Sequence, residues 1–462
     1  MSVFSKYHLS ESARIVSPRI PGARSTALLK RQREIEGSVV SYPRAMPIAI
    51  RRAKGAIIED VDGNLFIDLF AGAGVVNLGH CNEDVLEYVY AQEKELIHAL
   101  DFPTENKLAA IERLLGHLPA DVRDQYKVSF GGPTGADAVE SAIKLAKMKT
   151  GRDTVIAFSG SYHGISSGTV GLTADVKFRN RNYSRIPNIH FAPFPYCYRC
   201  PLGKNESTCS IDCFEYLRTM IEDGQSGVSL PAAIIIEPLQ GEGGNIPAKN
   251  GFLEKLIALA RKHGIIVIFD EIQSGFFRSG KFLSYMDSEA VPDIITVSKG
   301  LGGVGFPIAG IIYRRDIEAW ESGDHVGTFR GNQVSLAAMN GAFDFADKYA
   351  VADHTAEMGR YFIAELNRSI GDCAFIGEVR GKGLMIGIEC VHDRSSRQPN
   401  PELVKFIREG CLQKGLLFEV GGHFQNVIRL VPPLIITPTI IDNSVLILSS
   451  VVNEVTAQQS VA

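Results

Sequence analysis

Between about residue 125 and residue 310, short apolar runs alternate with segments whose apolar residues recur every three or four positions. That alternation predicts a mostly parallel sheet built from strand-helix-strand units. Residues 127–130, 154–158, 232–236, 265–269, 294–297 and 308–313 read as its strands. After the first of them the glycine-rich turn 131–136 leads into a predicted helix with Val139, Ala142, Ile143 and Ala146 on one face. Ahead of this block, residues 55–67 read as a hairpin turning at Asp62-Gly63. Behind it, helical segments lead to two further strand-like stretches, 379–387 and 427–433. We see no internal repeat and no low-complexity tract.

A chain of 462 residues exceeds the size at which one core keeps growing. The pattern therefore predicts an α/β protein with a large domain, its mostly parallel sheet flanked by helices, and a smaller α+β domain. Residues 1–80 are expected to form an N-terminal segment and part of the small domain, 81–345 the large domain, and 346–462 the rest of the small one. Hydrophobic residues at 45%, charged residues at 22% and a net charge of −4 describe ordinary globular composition with no general pull toward nucleic acid or anionic lipid. The first fourteen residues mix charged side chains without an apolar core, and no stretch looks long enough to span a bilayer, so a cytosolic protein is expected.

Eight cysteines are too sparse for a disulfide scaffold. Four are scattered and four cluster as Cys197, Cys200, Cys209 and Cys213. The cluster has the ligands for a tetrahedral zinc, but the second pair lacks the usual CxxC spacing. The preferred reading is a reduced structural loop with no metal.

Two strand ends carry the candidate chemistry. The run 294–297 ends in Ser298-Lys299-Gly300, and the run 265–269 ends in Asp270-Glu271. Strand ends facing a cleft are where open α/β sheets place ligands. An amine for a Schiff base and a carboxylate for a pyridinium nitrogen are what a pyridoxal 5′-phosphate enzyme requires. The turn Gly132-Pro133-Thr134-Gly135-Ala136 would add backbone amides at a helix N-terminus for the phosphate. Read singly, Asp270 is also a helix N-cap and Lys299 a loop lysine; their combination argues for the cofactor.

These residues sit in motifs that together resemble the class III pyridoxal-phosphate aminotransferases of fold type I: FGGPTGADAVESAIKLAK at 130–147, SYHG at 161–164, IIIEPLQGEGG at 234–244, VIFDEIQSGFFRSG at 267–280, SKGLGG at 298–303 and GTFRGNQ at 327–333. The resemblance runs from Ser41 to Pro433. It implies that Lys299 is the Schiff-base lysine, Asp270 the pyridinium partner, Gln273 a contact to the ring hydroxyl and Tyr162 the aromatic stacked on the ring. It further implies that Gly135 and Ala136 bind the phosphate, and that Thr328 reaches the phosphate of a neighbouring subunit in a homodimer with shared active sites.

The same resemblance assigns Arg429, in VIRLVPPL, to the α-carboxylate of glutamate or 2-oxoglutarate, with Glu242 as its switching partner; a simple salt bridge is the alternative. One departure stands out. Ornithine-type members place an arginine soon after the stacking aromatic, and here Ile165 follows His163-Gly164. Arg44 in SYPR is the candidate for that role, because SYPR together with DLFAGAGVVNLGH at 68–80 is most similar to the 2,4-diaminobutyrate:2-oxoglutarate aminotransferase branch. The implied activity is transfer of the terminal amine of an ω-amino acid, L-2,4-diaminobutyrate foremost, with 2-oxoglutarate and glutamate as the other pair. Ornithine, 4-aminobutyrate and secondary-metabolite amines remain open as substrates, and so does racemisation through the same lysine.

Overall fold

The structure is a computed structural model and describes residues 2–180 and 188–459. The chain forms two compact units. One comprises Asp84–Asp353; the other joins Met1–Glu83 to His354–Ala462.

The larger unit is built on seven strands among the described residues: β1 (Tyr126–Phe130), β2 (Val155–Phe158), β3 (Ile189–Ala192), β4 (Ala233–Ile236), β5 (Ile266–Asp270), β6 (Ile294–Val297) and β7 (Gly310–Arg314). Their order across the sheet is β1-β7-β6-β5-β4-β2-β3. The central pairs are parallel, whereas β7 runs antiparallel to both β6 and β1. Strands β2, β4 and β5 are buried along their whole length, which is why their sequences read as continuous apolar runs rather than alternating ones. Edge strand β3 escapes the apolar reading because Ile189, His190 and Phe191 are only partly buried.

The helix after β1 spans Gly135–Thr150 and buries Val139, Ala142, Ile143 and Ala146 against the sheet. Its start is fixed by a capping box: Asp137 N donates to Thr134 Oγ1, and the Asp137 carboxylate accepts from Thr134 N at 3.0 Å. The core of this unit therefore lies directly beneath the strand ends that carry the candidate chemistry.

In the smaller unit the expected hairpin forms, with Ile57–Asp60 antiparallel to Leu65–Asp68 around the Asp62-Gly63 turn. The stretch 379–387 is not one strand. It is the turn of a second hairpin, Ile376–Lys382 with Met385–Cys390, reversed at Gly383, whose φ of +56° suits a residue without Cβ. Val427–Leu430 pairs with the second arm of that hairpin.

The expectation that no stretch reaches membrane-spanning length needs correction: by length and composition one helix, Pro438–Ala457, does, with a mean hydropathy of 1.3. Its apolar side chains include Ile440, Ile441, Val445, Leu448, Val451 and Val452, all buried, and the helix packs on Pro401–Gln413 and Leu416–Leu417. These contacts bury one face of the helix, 39% of its apolar stretch, while Leu446 on it is exposed.

Candidate active site

Asp270 is the last residue of β5, and its strand neighbour in β6 is Thr296. That register places the Thr296 hydroxyl on the Asp270 carboxylate, donating to Oδ1 at 2.9 Å. The Ile272 amide donates to the same oxygen at 3.1 Å. From the far side His163 Nδ1 donates to Oδ2 at 2.7 Å. Asp270 is only 4% exposed, and these donors offset the cost of burying it.

Lys299 lies two residues beyond the end of β6, with a backbone φ of +46°. Left-handed backbone is strained for a residue with a side chain, and such strain concentrates where a group must be aimed. Lys299 and Asp270 line one cavity of about 410 Å³. Gly135, Ala136, Tyr162, Glu242, Gln273 and Ile165 line it as well. The larger unit thus gathers seven of the ten predicted site residues around one space.

Tyr162 is half-buried, with its ring edge-on to Phe178 at 6.0 Å between centroids. Burial, and then the negative Glu242, raise the pKa of its phenol. Gly164, at φ +103°, lets the loop bearing Tyr162 press on the helix start: a Cβ there would meet Ala136 Cβ at 2.9 Å. At the helix start the N–H groups of Gly135 and Ala136 have no intrahelical acceptor to reach, as for any first turn.

Three predicted residues lie elsewhere. Thr328 is exposed in the turn before the helix Gln333–Lys348 and does not line this cavity. Arg44 is exposed on the short helix Tyr42–Ala45 of the smaller unit, donates to Ser38 O at 3.0 Å, and borders a separate cavity of about 380 Å³. Arg429 is fully buried on Val427–Leu430, opposite Gly387 on one side and Glu419 on the other. Cys197, Cys200, Cys209 and Cys213 are not joined in disulfides, and burial pushes the Cys213 thiol up to about 11.

Residues 40–452 match the family described as aminotransferase class-III. The chain belongs to the class III aminotransferases. A diaminobutyrate--2-oxoglutarate aminotransferase of Rhizobium meliloti is 39% identical over 425 residues, 90% of each chain. One of Haemophilus influenzae is 40% identical over 410 residues, 87% of this chain and 89% of its own. Among solved structures, a transaminase from directed evolution by ancestral reconstruction superposes with a TM-score of 0.85 at 27% identity, covering 94% of this chain and 99% of its own. An amine transaminase from an uncultivated Pseudomonas species, solved in its PLP-bound form, gives 0.81 at 27% identity over 91% and 98%.

Pyridoxal phosphate needs a primary amine, an acid partner for its ring nitrogen, a flat surface and an anion cradle. Lys299, Asp270, Tyr162 and the first turn of Gly135–Thr150 offer one of each around a single cavity, so the residues fit.

Sequence reasoning about this aminotransferase missed three residues. Thr296 and His163 both hydrogen-bond the Asp270 carboxylate, and pairing across strands and loops is invisible along the chain. Glu237 carried a readable signal: it follows the buried run 232–236 as Asp270 closes 265–269. Burial pushes its carboxyl up to about 7, with His163 opposing and Asp270 adding to the rise.

Proposed function

We propose that this aminotransferase uses pyridoxal 5′-phosphate to move the terminal amine of L-2,4-diaminobutyrate to 2-oxoglutarate, giving aspartate 4-semialdehyde and glutamate. The observation that carries the reading is the joint lining of one cavity by Lys299, Asp270 and a capped helix start. The substrate choice leans on relatives that bear the diaminobutyrate name at 39% and 40% identity over nearly the whole chain.

When bound, the cofactor supplies an aldehyde that carries the amine and a ring that takes up the electrons of a carbanion. Lys299 would hold the cofactor through its amine and, once that amine is free, would serve as the base that takes the proton from the amine-bearing carbon of the substrate. Asp270, steadied by Thr296 and His163, holds the proton on the ring nitrogen. Tyr162 would offer its aromatic face to the ring, Gln273 would meet its hydroxyl, and the amides of Gly135 and Ala136 would hold the phosphate. Thr328 serves the phosphate of a second copy, which makes the working form a homodimer, in the cytosol.

Substrate exchange falls to the charged residues. Arg429 binds the α-carboxylate of 2-oxoglutarate in a bidentate pair, Glu242 neutralises it when the diamine occupies the pocket, and Arg44 takes the remaining carboxylate. The test is a panel of amino donors with 2-oxoglutarate: diaminobutyrate should give the highest kcat/KM, ahead of ornithine and 4-aminobutyrate. A donor tenfold better than diaminobutyrate would overturn the substrate assignment.

A further inference from the structure

Ile236 and Phe269 are register partners in adjacent parallel strands, so the residues that follow them, Glu237 and Asp270, leave the sheet side by side. Glu237 is only 6% exposed. Its Oε1 accepts from Tyr162 N at 3.0 Å and its Oε2 from Gly241 N at 2.9 Å. One carboxylate thus ties together the loop carrying Tyr162 and His163 and the turn carrying Glu242. A neutral glutamine would offer an acceptor to one of these amides and a donor to the other.

The second observation is His163. Its ring is buried, Nδ1 is taken by Asp270, and Nε2 has no hydrogen-bond partner among the described residues. Around Glu237 the charged and titratable groups lining the same cavity are His163 and Tyr162 from one loop, Asp270 from β5, Glu242 from the next turn and Lys299 beyond β6. Burial raises the pKa of Glu237, the His163 imidazole opposes that rise, and the Asp270 carboxylate adds to it.

We propose that Glu237 is a positioning residue of this site, which fixes the Tyr162 and Glu242 loops through its two backbone bonds and sets, with His163, the charge behind Asp270. With Glu237 ionised, a second carboxylate beside the Asp270–His163 pair makes cationic groups in the cavity hold their protons more tightly. Protonation of Glu237 removes that effect without altering any side chain the substrate touches. The proposal rests on the aminotransferase reading for its consequence but not for its existence, since the carboxylate and the imidazole belong to the chain itself.

The experiment has two arms. In apoprotein labelled with ¹³C at glutamate carboxyls and ¹⁵N at histidine, the Glu237 carboxyl should titrate between pH 6 and 8, about the midpoint its burial implies, and the His163 ring signals should move with the same midpoint. A Glu237 carboxyl that stays ionised from pH 5 to 9, or His163 signals that ignore it, would overturn the proposal; this arm needs no variant to fold. In loaded enzyme, Glu237→Gln should lower the midpoint of the pH-dependent colour change of the bound cofactor by about one unit, and an unmoved midpoint overturns the proposal. Failure of wild-type enzyme to take up cofactor would instead contradict the functional reading and leave the apoprotein titration to decide this one.

Discussion

Two carboxylates stand next to each other at the ends of β4 and β5, and they are held in opposite ways. Asp270 receives a hydroxyl from Thr296 and an imidazole from His163, along with one amide. Glu237 receives two backbone amides from two loops and, among the described residues, no side-chain donor. Side-chain donors tune a charge; backbone donors fix the course of the chain. The same strand-end position can therefore serve chemistry in one strand and geometry in its neighbour, and the distinction lies in who donates rather than in the carboxylate.

The largest expected effect that would break this contrast is at Asp270. Asp270→Asn keeps the shape and loses the charge, and kcat should fall by about 10²–10³-fold. Glu237→Gln should cost far less in kcat, and equal losses would erase the difference in role. Next comes the smaller unit's fully buried arginine. Arg429→Ala should lower kcat/KM for 2-oxoglutarate by about 10–100-fold, the worth of a charge-assisted pair, while leaving diaminobutyrate within a few-fold. Matching losses for both substrates would argue against alternation with Glu242. The smallest effect sharpens the account of Asp270: Thr296→Val removes one hydroxyl donor and should reduce kcat about three- to tenfold, the equivalent of about 1 kcal/mol. An effect as large as that of Asp270→Asn would mean that Thr296 does more than steady the carboxylate.

Much of the large unit was legible in the chain because β2, β4, β5 and β6 are buried on both faces and spell unbroken apolar runs. Edge strand β3 was not, since half-exposed positions lose that signature. The hairpin around Gly383 was read as one strand because its two arms share an apolar, glycine-spaced composition, and only pairing separates them. Lys299 and Asp270 stand out in the sequence because Asp270 closes its apolar run and Lys299 follows its own by two residues. His163, Thr296 and the alignment of Glu237 with Asp270 depend on which strands are neighbours, which the order β6-β5-β4 decides and local sequence does not record.

The central claim is that Lys299 is the residue that carries the cofactor. Holoenzyme reduced with borohydride and then digested should show the added pyridoxyl phosphate mass on the peptide containing Lys299, with Lys299→Ala protein giving no labelled peptide. Label on any other lysine of the wild-type chain, or undiminished label in the variant, would contradict it.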